Sequence, residues 1–190
     1  MIGREAGEMR SEAPGLTFKL ARFFSAEVVD QLEVHFDRVV QLGGNQEEGF
    51  VREEGVSFNP RTARIASLML EHCKTPSPEA IAAAMWSLVP SEVAELEASA
   101  PHLCKLIAAV FDDSEGAVIN SISATIRAVV LLDRLRHLHM TTLSADEKAR
   151  ILEAAQNSSV LADDFPISQQ LRAKVAHAGQ LQKRNVGESI

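Results

Sequence analysis

Apolar residues recur along this chain at steps of three and four, and nowhere in a sustained alternation of two. The first spacing lines one face of a helix, whereas alternation would mark a half-buried strand. No Asn-Gly or Asp-Gly hairpin turn occurs. The pattern therefore predicts an all-α fold, a helical bundle of about seven to nine helices.

Start signals divide the bundle. Leu20, Phe23, Phe24, Val28, Leu32, Val39 and Val40 keep helical spacing over 16–42, as one long helix or as two with Ser25 capping the second. Gly43-Gly44 is expected to stop it, since glycine tolerates the left-handed cap conformation. Asn59-Pro60 and Ser77-Pro78 each pair a favoured N-cap with a favoured first helical residue. Ile65, Leu68 and Met69 then face inward after the first pair, and Pro90-Ser91-Glu92 breaks and restarts the chain. Pro101 opens a helix carrying Leu103, Ile107 and Val110. Ser144 with Glu147 forms a capping box, and a last helix starts near Pro166 and fades after Gln182.

Composition narrows the class. A chain of 190 residues can bury roughly 70% of its unfolded surface. It is expected to form a single domain over 16–185 behind a flexible tail over 1–15. A formal net charge of −7 gives no electrostatic case for nucleic acid, which calls for a basic face. No apolar run approaches the ~20 residues of a membrane span, and the polar start carries no secretory h-region. The two cysteines, Cys73 and Cys104, have no metal-type spacing and make no disulfide scaffold. Both fit buried thiols, and the expected location is the cytoplasm.

The stretch 117–139 is the most informative. On a helical wheel Ile119, Ile122, Ile126, Val129 and Val130 share one arc, and Asp133 and His137 fall inside it. Leu131, Leu132, Leu135 and Leu138 cover much of the other side. A helix apolar nearly all round is central in its domain. A carboxylate there must be paired, hydrogen-bonded or bound to metal, because an isolated buried charge is very costly. Three roles stay open for Asp133: a metal ligand or the remnant of one, an acceptor for an arginine or helix-end amides, or the lining of a watered cleft. His137, one turn on, is either a second ligand or a hydrogen-bond partner.

The run Val130-Leu131-Leu132-Asp133-Arg134-Leu135-Arg136-His137-Leu138-His139-Met140, followed by Glu147-Lys148-Ala149-Arg150-Ile151, resembles the HD hydrolase domain of the RelA/SpoT group, which hydrolyses (p)ppGpp. In that family an Ala-Asp-Arg-Leu-His-Asn stretch supplies the last metal ligand, and a basic helix follows. Asp133 and Arg134 match it, while Arg136 and His137 stand where the family has His and Asn. The run from Arg52 to Pro60 resembles the family's basic, glycine-containing loop ending in His-Pro. Pro78 to Val89 resembles the helix that ends in its His-Asp pair. The likeness covers roughly residues 21–156.

Measured against that resemblance, the metal set is depleted. The family's first ligand His falls at Asn59, its His-Asp pair at Ser87-Leu88 and its nearby acidic pair at Ser91-Glu92. Leucine cannot coordinate a cation, and a neutral Asn with one carboxylate holds Mn²⁺ or a similar ion poorly. Asn59 also suits an N-cap, and Ser87 an ordinary polar residue near a helix end. The resemblance implies a degenerate HD-like binding or regulatory module, with a nucleotide polyphosphate as ligand and no cofactor. Its cleft candidates are Arg52, Asn59, Arg64, Ser87, Glu92, Asp133, Arg134 and His137, with Asp133 the remnant metal ligand. One alternative is a divergent phosphohydrolase of (p)ppGpp or a related nucleotide, needing Mn²⁺ or another divalent cation. A second is a helical protein-interaction domain, such as a homo-oligomer. No Gly-rich phosphate loop and no Gly-x-Ser-x-Gly elbow occurs.

Overall fold

The computed structural model describes residues 14–45, 58–73, 76–111, 121–136, 144–161 and 166–187. Among them the chain is all helical: α1 (Pro14–Leu20), α2 (Ala26–Asn45), α3 (Phe58–His72), α4 (Pro78–Trp86), a 3-10 helix (Pro90–Leu96), α5 (Pro101–Phe111), α6 (Ser121–Arg136), α7 (Ala145–Leu161) and α8 (Pro166–Gly187). None of the described helices is long and apolar enough to cross a membrane.

Local chemistry sets two of the starts. The Ser77 side chain accepts from the Ala80 amide at 3.1 Å, one of the amides an α-helix leaves without an internal partner. At α7 the capping box forms as spelled: the Glu147 amide donates to Ser144 Oγ at 3.2 Å, and the Ser144 amide donates to Glu147 Oε2 at 2.8 Å. The Ser144 hydroxyl, donating to Glu147 Oε2 at 2.6 Å, and then the Ser144 amide hold the Glu147 carboxyl below its ordinary pKa. The 16–42 stretch resolves into two helices. A turn at Ala21–Phe24 separates them, and the Ser25 carbonyl accepts from the Val29 amide as α2 begins.

Five boundaries differ from expectation. α1 starts at Pro14, inside the segment read as a tail. α2 runs through Gly43-Gly44 to Asn45, because glycine weakens a helix by only about 1 kcal/mol and does not by itself end one. α3 begins at Phe58, so Asn59 lies in its first turn and is not its N-cap. Pro60 is tolerated there because first-turn amides have no partner within the helix. α8 extends past Gln182 to Gly187, and α7, whose apolar spacing predicts an end near Gln156, runs to Leu161.

Two helices organise the packing. Every residue of α4 from Ala80 to Trp86 is buried, and α2, α3, α5 and α6 surround it. Ala82, Ala83 and Ala84 let those neighbours approach closely on all sides, while Ile81, Met85 and Trp86 supply the bulk. Fully burying a side chain such as Ile81 stabilises by about 1.5–3 kcal/mol. α6 packs against α3, α4, α5, α7 and α8, the central position its all-round apolar surface predicts. Ile126, Val129, Val130, Leu131, Leu132 and Leu135 are buried, but Ile122 is 41% exposed. Ile122 sits in the first turn of α6, and periodicity assigns a face without saying how far a neighbour extends along it. Leu68 is only partly buried beside the fully buried Ile65 and Met69.

Polar bonds tie the outer helices to this core. Thr17 Oγ1 of α1 donates to Glu33 Oε1 of α2 at 2.6 Å, and Arg38 of α2 forks onto Glu95 of the 3-10 helix at 2.7–2.9 Å. Ser77→Ala is expected to lower stability by about 1 kcal/mol in denaturant unfolding, and Ser77→Gly by only a few tenths. Equal losses in the two variants would show that the hydroxyl cap is not what starts α4.

Candidate functional site

Arg61 and Arg64 stand three residues apart on α3, a spacing that places both on one helical face. α6 packs on α3 and brings Asp133 to the same place. Arg61 Nε donates to Asp133 Oδ2 at 2.6 Å, and Arg64 Nε donates to Oδ1 at 3.0 Å. Arg64 Nη2 makes a further bond to Oδ1. The Asp133 side chain is 0% exposed, and those of Arg61 and Arg64 are 12% and 25% exposed. Both carboxylate oxygens are thus held by guanidinium donors, which removes the orphaned charge that burial would otherwise penalise. Of the three roles open to Asp133, this geometry is that of an arginine acceptor.

The cluster continues onto α5. The Arg134 guanidinium lies over the Phe111 ring, 5.9 Å from its centroid, a cation–π contact that joins α6 to α5. Burial, and then the like charge of Arg61, lower the Arg134 pKa from its ordinary value, and Asp133 partly offsets them. Arginine keeps its proton in proteins regardless. α6 thus carries a carboxylate bonded to two guanidiniums of α3 and, one residue on, a third guanidinium stacked on α5.

The other sequence candidates lie elsewhere. Ser87 is buried at the C-cap of α4 and donates from Oγ to the Ala83 carbonyl at 2.7 Å, so its hydroxyl serves its own helix. Leu88 is a core residue, 1% exposed. Glu92 is half-buried in the 3-10 helix and accepts from Ser91 Oγ at 3.2 Å. Asn59 belongs to the first turn of α3. Arg52 and His137 fall outside the described residues. Arg61, which the sequence reading did not single out, makes the 2.6 Å bond to Asp133. Its signal was the three-residue step to Arg64, legible only once Asp133 was placed opposite.

These residues do not fit a divalent cation. Two guanidiniums hold the Asp133 oxygens and would repel a metal ion, Leu88 has no donor atom, and Ser87 Oγ is engaged. No group of three His, Cys, Asp or Glu side chains comes together among the described residues. Comparison of the chain with models of known protein families, with characterised proteins and with solved structures finds no match.

Removing one partner of a buried ion pair strands the other charge. Asp133→Ala is therefore expected to cost roughly 3–5 kcal/mol in chemical denaturation. The triple change Arg61→Met, Arg64→Leu, Asp133→Leu is expected to recover most of that loss. A neutral Asp133→Ala would refute the ion pair as a structural element.

Proposed function

We propose that the chain is a non-hydrolytic binding or regulatory module of the cytoplasm, on a helical scaffold resembling the HD domain, with a nucleotide polyphosphate as ligand. One observation carries this reading. At the position matching the family's last metal ligand, Asp133 is held by Arg61 and Arg64. Charge of that kind disfavours a cation and suits an anion. Planar guanidiniums bind phosphate oxygens in pairs, and a carboxylate behind them fixes their orientation. Arg64, the more exposed of the two on Asp133, is the side chain best placed to reach outward. Arg134 adds a third positive group to the same cluster.

A second reading, a helical protein-interaction domain or homo-oligomer, draws on a different surface. Phe18 is 71% exposed, Phe23 52% and Val34 70%, all on α1, α2 or the turn between them. Single exposed apolar residues are ordinary, but three on adjacent elements give a partner apolar surface to cover. The hydrolase alternative has least support, because the residues around Asp133 disfavour a metal.

Titration calorimetry with guanosine tetraphosphate, with and without Mn²⁺, alongside a phosphate-release assay, separates the three. Saturable heat without phosphate release, weakened in Arg64→Ala, is the expected result. No heat from guanosine or adenosine polyphosphates removes the nucleotide reading and leaves the interaction domain, to be sought first in the oligomeric state. Mn²⁺-dependent release lost in Asp133→Ala would reinstate the enzyme.

A further inference from the structure

A polar contact joins α2 to α4. Trp86 Nε1–H donates to His35 Nδ1 at 3.1 Å, and the two rings stand nearly perpendicular, 79° apart with centroids at 6.4 Å. Trp86 is 2% exposed and His35 is half-buried. An indole N–H can only donate, so His35 Nδ1 must offer its lone pair, and the neutral ring carries its proton on Nε2. Adding a proton at Nδ1 turns the acceptor into a donor. Two N–H groups then face each other where the buried indole has no water to turn to, and an unmade buried bond is costly.

We propose that the His35–Trp86 contact is an acid-sensitive joint: proton uptake at His35 Nδ1 breaks it and loosens α2 from α4. The surroundings of His35 agree. On α2 the charged residue one turn on is Arg38, held by Glu95 of the 3-10 helix and by Gln41. α4 carries Glu79, exposed in its first turn. α3 carries Arg61 and Arg64, bonded to Asp133, and Glu71 and His72 at its far end. α1 brings Lys19, paired with Glu71 at 3.4 Å. Among the described residues burial is what moves His35, and it lowers the pKa from the ordinary 6.5. The folded protein therefore binds fewer protons than the unfolded chain below 6.5. The stabilisation is complete above that value and is lost as pH falls from it through the lower folded value.

Trp86 is the chain's sole tryptophan, so its emission reports on the joint directly. Emission and thermal midpoint are to be followed across pH above and below 6.5. The wild type is expected to show a one-proton transition with its midpoint below 6.5, and His35→Gln, which offers an acceptor that does not titrate, to lack it. A flat wild-type profile, or the same transition in His35→Gln, overturns the proposal. Should His35→Gln fail to fold, ¹⁵N spectra of the wild type decide: the imidazole in Overhauser contact with the Trp86 indole proton must carry its hydrogen on Nε2 at neutral pH. A ring protonated at Nδ1 there overturns it equally.

Discussion

A carboxylate removed from water has to be answered by positive charge or by donors, and in this bundle Asp133 is answered by both at once. Arg61 and Arg64 reach it from a helix about seventy residues earlier in the chain, with sequence separations of 72 and 69. Apolar packing is non-directional and would let α3 slide or rotate on α6 at modest cost. Two guanidiniums that must meet two particular oxygens allow far less freedom. The same helices supply walls to α4, whose burial on every side depends on its neighbours keeping their distance and register.

Much of the fold was readable because it is local. Ser77 and the pair Ser144 with Glu147 satisfy amides within four residues of themselves, so their type and spacing suffice to identify them. Leu103, Ile107 and Val110 announce the buried face of α5 by period alone. Gly43-Gly44 misled, since a weak helix former yields to whatever packing holds the helix beyond it. The burial of α4 on every side from Ala80 to Trp86 was also hidden: a nine-residue run rich in alanine says that neighbours can come close, not that four of them do.

The candidate site divides along the same line. Asp133 stood out as a charge in an apolar arc, a contradiction visible in one helix. The group that resolves it was not visible, because no period links Arg61 to a residue 72 positions away. Ser87 illustrates the reverse error. Position in a resemblance made it a cleft candidate, whereas its hydroxyl is spent on the carbonyl four residues back. A likeness in helical order says where a site would be, and only the side chains that meet there say what it can hold.

The arrangement of the last two helices carries a separate implication. α7 and α8 pack on each other and on α6, the helix that also serves the N-terminal elements. Among the described residues their fully buried anchors are Ala155 on α7, and Ile167 and Leu171 on α8. A hairpin attached along one seam can detach as a unit, leaving the rest of the core dry except for the exposed flank of α6. Amide exchange in this protein should then fall into two tiers. The C-terminal hairpin would open at a lower free energy than α4, whose amides are released only by global unfolding.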